Sequence, residues 1–192
     1  MNKKINLIAA VDEKFGFGKD GKIPWHYPED FKFFQTMTKG HTVIMGRKTF
    51  DDLVTYVKPG KPFLPGRECI VVTSQSLPKE FTPPVQLSVS AYEEYLYKNV
   101  RTAETISDAL NKARLLQGDV FFIGGESIFN SGLNMADCAY LTFIPGDHNC
   151  DRFFPFEKLK DKFQIYNSRD GGDGLRFHTY VHNIWGNKNP LN

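Results

Sequence analysis

The chain has 192 residues, 41% hydrophobic and 24% charged, with a formal net charge of +2. This composition fits one globular domain over residues 1–192 and excludes a disordered chain. A charge this small, with no basic stripe, argues against a nucleic-acid partner.

Ile5–Val11 opens the chain as a continuous apolar run, the pattern of a strand buried on both faces. Asn6 interrupts it and Asp12 ends it, so it is too short for a secretion signal. Thr42–Met45, Cys69–Thr73 and Val120–Ile123 are further runs of this kind. Helical patterns fall between them at Glu29–Lys39, Thr49–Val57 and Ile106–Gln117, the last capped by Thr105. This alternation predicts an α/β fold with a central, mostly parallel twisted sheet and helices on both faces. Tyr140–Ile144, Phe163–Ser168 and Leu175–Val181 read as strands, and the Asp/Gly-rich stretch Arg169–Gly174 as a hairpin turn. The sheet should therefore end in antiparallel strands.

No segment is apolar for long enough to span a bilayer. Three widely spaced cysteines, Cys69, Cys138 and Cys150, fit a reducing compartment. There is no C-x-x-C pair, and His26, His41, His148, His178 and His182 show no metal-ligand spacing, so no metal is expected. The expectation is a cytoplasmic monomer with no membrane contact.

Gly16-Phe-Gly-Lys-Asp-Gly21 matches the dinucleotide fingerprint G-x-G-x-x-G. That site needs a helix to open at the last glycine, and Pro24 and Pro28 block one. A flexible loop beside a ligand is the better reading. Two other turns suit phosphates better: Gly46-Arg47-Lys48-Thr49 and Gly124-Gly125-Glu126-Ser127, each between a strand and a helical pattern. Free N–H groups and the helix dipole favour anions there. Arg47 and Lys48, with Thr73 and Ser74 at a nearby strand end, suit a ribose 2′-phosphate, which points to NADPH. An inward-pointing Glu126 would oppose it.

Asp30 carries the strongest local signal. At about 100° per residue from Glu29, Asp30 lies near 100°, among Phe33 (about 40°), Met37 (about 80°), Phe34 (about 140°) and Phe31 (about 200°). A first-turn acid favours the helix dipole, but that does not explain its place on the apolar face. Such a carboxyl should have a raised pKa and suits a proton donor or ligand anchor.

Six motifs in order, Leu-Ile-Ala-Ala (7–10), Ile-Pro-Trp (23–25) with Pro28-Glu-Asp30-Phe, Val-Ile-Met-Gly-Arg-Lys-Thr-Phe (43–50), Leu-Pro-Gly-Arg (64–67), Ile-Gly-Gly (123–125) and Tyr-Leu-Thr (140–142), closely resemble dihydrofolate reductase over about residues 5–180. The resemblance implies NADPH-dependent reduction of 7,8-dihydrofolate, serving one-carbon metabolism and thymidylate synthesis. It implies that Asp30 bonds the pterin and promotes protonation of N5, with Thr142 bonded to Asp30 and Trp25 bordering the pterin and its water. Ile8 and Ile123 would turn backbone carbonyls to the pocket, Phe31, Phe34 and Leu64 would pack on substrate, and Arg67 would pair with the α-carboxylate of the glutamate tail. Ala10, Gly16, Phe17, Gly18, Gly21, Lys22 and Ile23 would cover the nicotinamide. Gly46, Arg47, Lys48 and Thr49, with Thr73, Ser74 and the run Gly124, Gly125, Glu126, Ser127, Ile128 and Phe129, would hold phosphates and riboses. The Gly124–Gly125 peptide would be cis, and Asp151 would touch the lid. Gln86–Thr105 and Lys58–Lys61 look longer than in compact bacterial members. A pyrimidine- or flavin-precursor reductase of related fold, or a catalytically silent relative, are the alternatives; the former would not be expected to combine Pro-Trp, a helix acid and Leu-Pro-Gly-Arg.

Overall fold

The structure, a computed structural model, describes residues 3–58, 61–77 and 96–185. The four apolar runs form the inner strands β1 (Ile5–Val11), β3 (Thr42–Gly46), β4 (Glu68–Val72) and β6 (Val120–Phe122). With β5 (Val100–Ala103), β7 (Cys138–Phe143), β9 (Phe163–Asp170) and β10 (Arg176–His182) they build one eight-stranded sheet in the order β5-β4-β3-β6-β1-β7-β10-β9. Every pair from β5 to β7 is parallel, while β10 runs antiparallel to both β7 and β9. The chain moves outward through β3, β4 and β5, then returns to insert β6 beside β1. Such switch points are where open α/β sheets bind ligands.

The side-chain period of two sorts the strand residues between two cores. Leu7, Ile44, Ile70, Phe122 and Leu141 face α3 (Ile106–Ala113), α4 (Glu126–Gly132) and α5 (Phe156–Lys162). Ile8, Val43, Met45, Val71 and Tyr140 face α1 (Pro28–Thr38) and α2 (Arg47–Val54). Each inner strand is thus covered on both faces, as its unbroken apolar run requires.

The elements depart from the sequence reading in several places, among them β7, which runs Cys138–Phe143 and so starts two residues early. Helix α2 begins at Arg47, two residues before Thr49, because Gly46 already acts as its N-cap, and it stops at Val54. Helix α3 ends at Ala113 and the chain continues to Gln117 in turns. Arg169 and Asp170 belong to β9, so the β9–β10 turn is tighter, closed by Gly171 N–H donating to Leu175 O at 2.8 Å. The glycine loop is not a free loop at its start: Gly16–Gly18 forms β2, paired antiparallel with β8 (Arg152–Phe153). Strand β5 and helix α5 had no clear sequence signal, β5 being four residues with Arg101 and Thr102 exposed. Gly60, the loop Pro78–Pro84, Tyr92 and Tyr95 lie outside the described residues.

Asp12 holds the β2–β8 ribbon against the sheet. It is 0% exposed. Its Oδ1 accepts from Lys14 N–H at 2.9 Å and Gly16 N–H at 2.8 Å, and its Oδ2 from His148 N–H at 3.1 Å. Asp12→Ala would leave these donors without their acceptor. We expect a loss of about 3 kcal/mol, seen as a lower urea midpoint at unchanged slope; Asp12→Asn, which keeps a carbonyl, should lose less.

Candidate functional site

The site begins where two ladders part. β1 pairs with β7 through Val11↔Phe143, but its register with β6 ends at Leu7↔Phe122. Ile123 N–H instead donates to Ile44 O on β3 at 3.0 Å. Ile8 and Ala10 lie past this fork, on the α1 face of the sheet.

Asp30 comes to the same place from above. Pro28 starts α1 at a position where its missing N–H costs nothing. Phe33, Phe34 and Met37 then dock the helix on the second core. The register Ala10↔Thr142 puts Thr142 beside Ala10, and its parity with Tyr140 turns it toward α1. Thr142 is 1% exposed, and its hydroxyl bonds the half-buried Asp30 carboxyl. Burial raises the pKa of Asp30, and the Thr142 bond offsets part of that rise. Trp25 is buried in one cluster with Ile144, Leu175 and Phe177, against which Ala10 and Phe33 pack. Its Nε1–H has no partner among the described residues, and its ring packs edge-on to His148 at 5.0 Å. Phe31 is half-buried against His26, with ring centroids 5.2 Å apart.

Ile8, Ile123, Phe34 and Leu64 share one cluster. Arg67 lies 5.6 Å over the Phe34 ring and is only 7% exposed. Its Nε donates to Thr38 Oγ1 at 2.7 Å, Nη1 to Pro65 O at 2.8 Å and Nη2 to Gln35 O at 3.2 Å. Burial lowers its pKa. Among the described residues, one N–H remains on each terminal nitrogen, a fork suited to a carboxylate.

On the other side of the fork, two helix N-termini meet. Gly46, N-cap of α2, donates its N–H to Gly124 O at 2.8 Å, and Gly125 is the N-cap of α4. Neither end has a side-chain cap. The Gly124–Gly125 peptide is cis. A Cβ on Gly46 would meet Ile128 Cγ1 at 3.5 Å, and one on Gly124 would meet Phe129 Cζ at 3.1 Å. Thr49 Oγ1 would lie 3.4 Å from a Cβ on Gly125. Lys48, Ser74, Glu126 and Ser127 are exposed. Thr73 anchors its loop through Thr73 N–H to Ala103 O at 2.8 Å. Arg47 is engaged by Asp51 Oδ1 at 2.7 Å and Ser76 O at 2.8 Å.

The glycine loop joins both halves. Phe17 meets Phe129 edge-on at 5.2 Å, and Asp151 Oδ2 accepts from Asp20 N–H at 3.1 Å. Lys19 and Lys22 exchange both backbone bonds at 2.9 Å, leaving Gly21, Lys22 and Ile23 exposed. Lys22 comes near enough to Asp52 on α2 to offset part of the rise in pKa that burial causes there.

Three supporting residues gave no sequence signal because their partners are mostly backbone groups, many of them distant in the chain. Asp12 is one. Glu29 accepts from Gly172 N–H at 2.7 Å and pairs with Arg169, docking α1 on the β9–β10 turn. Asn99 donates to the loop that carries Arg67.

A mostly parallel α/β sheet with paired glycine turns on one side of its central fork and a half-buried acid on the other defines a protein built to bring two small molecules together. The comparisons give the family. Residues 4–182 match the family model described as dihydrofolate reductase. The chain is 33% identical over 174 residues to dihydrofolate reductase HdrB of Haloferax volcanii, covering 91% of this chain and 81% of that protein. It is 29% identical over 183 residues to the dihydrofolate reductase of Staphylococcus aureus, covering 94% and 97%. The solved structure of dihydrofolate reductase from Enterococcus faecalis complexed with NADP(H) and RAB-propyl is similar at a TM-score of 0.73 and 26% identity, covering 94% of this chain and 96% of that one. The chain belongs to the dihydrofolate reductase family.

A carboxyl whose pKa is raised on folding binds its proton more tightly in the folded state, so stability falls as pH rises from the ordinary aspartate range through its folded pKa and stays at that lower level above it. Asp30→Asn keeps the shape and removes this cost. The variant should melt at a higher temperature than the parent at neutral pH, with the gap closing below the ordinary aspartate range. A melting-temperature gap between variant and parent that does not change with pH would refute the raised pKa.

Proposed function

We propose that this protein reduces 7,8-dihydrofolate to tetrahydrofolate with NADPH, in the service of one-carbon metabolism. The observation that carries the reading is Asp30, a half-buried carboxyl of raised pKa held by Thr142 at the fork of β1 and β6. A pterin has a flat amidine face that a carboxyl matches with two hydrogen bonds. Phe31, Phe34 and Leu64 supply apolar walls, and the two uncommitted N–H groups of Arg67 suit the tail's α-carboxylate.

The chain's residues also fit the dinucleotide. Gly46, Gly124 and Gly125 leave backbone room where a Cβ would fill the cradle. The two uncapped helix ends offer N–H donors and dipoles to phosphates. Thr49 and Ser127 add hydroxyls. Arg47 holds the strand-end loop from α2 through its bond to Ser76 O, and its charge is paired with Asp51. NADPH, when bound, supplies the hydride.

The protein's own work is then proton supply, orientation and exclusion of water. Asp30 in its acid form holds a proton that reaches N5 of the pterin by way of a water. Thr142 fixes the carboxyl's direction by donating to it, which leaves the carboxyl's other sites for substrate. Trp25 shields this end from solvent and offers its Nε1–H to the relayed water. The glycine loop, tied by Asp151 and Phe17, covers the reacting ring.

The test is loss of NADPH absorbance with dihydrofolate; a folded protein that gives no turnover sinks the proposal. Because the acid form of Asp30 is the competent one, kcat/KM should fall as pH rises through its raised pKa. Asp30→Asn should lower kcat/KM at neutral pH by about 100-fold or more and erase that pH limb, with NADPH affinity retained in a fluorescence titration. Parent-like turnover in this variant would show that Asp30 is not the proton's source.

A further inference from the structure

The loop that carries Arg67 is held shut from outside the site. Phe63–Arg67 contains two left-handed residues, Leu64 at φ 37° and Gly66 at φ 76°. For leucine that region is sterically costly, so the conformation persists only where its surroundings impose it. Asn99 imposes it. Its Nδ2 donates to Phe63 O at 2.7 Å and to Arg67 O at 2.8 Å, with Leu64 O at 3.4 Å. One amide thus pins both ends of the five-residue loop. Asn99 is itself fixed, since its backbone carbonyl accepts from Cys69 N–H at 2.8 Å just before β5 begins.

The pin bears on Arg67 twice. It fixes the backbone of Arg67 directly. It also fixes Pro65, whose carbonyl takes one of the guanidinium's three committed N–H groups. The other two go to Thr38 and Gln35 on α1. The aim of the remaining fork therefore depends on keeping the loop and the end of α1 in one relation. Bidentate recognition tolerates little misplacement, because both bonds must align at once.

We propose that Asn99 is a positioning residue for substrate selectivity: it sets the aim of Arg67 and so the preference for pterins that carry an anionic tail. The inference rests on the reading of Arg67 above, and it places a determinant of tail recognition on β5's approach, outside the ligand cleft.

Folate and pteroate, which lacks the glutamate, separate the two ideas. The ratio of their Kd values, measured by fluorescence titration of the full chain, reports recognition of the glutamate, since pteroate ends in its benzoate carboxylate. Arg67→Ala should erase most of the preference for folate. Asn99→Leu, of the same branched shape but without the N–H donors, should reduce that preference about tenfold. Asn99→Ala should do the same. In steady state, Asn99→Leu should act on KM for dihydrofolate more than on kcat. Placed in the Arg67→Ala background, Asn99→Leu should leave the ratio where Arg67→Ala put it, because it acts through that arginine. If Arg67→Ala lowers the ratio and both Asn99 variants leave it intact, the positioning role is wrong and the reading of Arg67 stands. If Arg67→Ala leaves the ratio intact, the reading of Arg67 fails and this inference falls with it. Equal weakening of both ligands by the Asn99 variants, total loss included, also overturns it, since that is the signature of a general structural role.

Discussion

Strand β1 keeps one neighbour longer than the other. Its hydrogen-bonded register with β7 runs to Val11, whereas its register with β6 stops at Leu7, and β6 turns away to bond β3. In a parallel sheet, strands that separate at their carboxyl ends leave backbone and alternate side chains facing a crevice. The Asp30 site and the paired glycine turns both depend on that separation. The period of two then fixes which side chains face it. Ile8, Ala10, Tyr140 and Thr142 fall on the α1 side together, so Thr142 can meet a helix residue more than a hundred positions away.

The two charged groups of the site are held by opposite means. Asp30 is held by one side-chain bond from Thr142 and by the docking of Phe33, Phe34 and Met37, which leaves it underpaired and inclined to keep its proton. Arg67 is nearly surrounded, with Thr38, Pro65 and Gln35 each accepting from it. A carboxyl that must exchange a proton gains from incomplete pairing. A guanidinium that must present a fixed fork gains from being tied down. The difference in burial and bonding between the two matches the difference in the tasks proposed for them.

The glycine loop shows how supporting structure can be recruited from polar residues. Asp12 gathers N–H groups from the chain before β2 and from the segment leading to β8, and so holds the ribbon to the end of β1. Phe15 stacks on Phe156 at 3.9 Å and Phe17 meets Phe129, so the ribbon packs on the face of the sheet opposite α1. The exposed turn Lys19–Lys22 projects from this base. No helix among the described residues is long and apolar enough to cross a membrane.

Much of this was legible in the residues themselves. Apolar runs without interruption dictated strands buried on both faces, and rotation by about 100° per residue put Asp30 on the apolar side of α1 before any partner was known. Glycines between a strand and a helix marked the turns that open α2 and α4. Those signals are local, because they depend on the period of an element or the conformational freedom of one residue. The sequence did not indicate Asp12, Glu29 or Asn99, whose partners lie from two to more than a hundred residues away and are mostly backbone groups that any residue carries. Nor could it distinguish an arginine reaching for phosphate from Arg47, already engaged by Asp51 and Ser76. Composition and periodicity determined the inner strands, most of the helices and the acid on α1. Register, the parting of β1 from β6 and the long-range bonds to backbone carbonyls and amides were decided only when the chain closed on itself, because a hydrogen bond between distant groups leaves no period in the sequence.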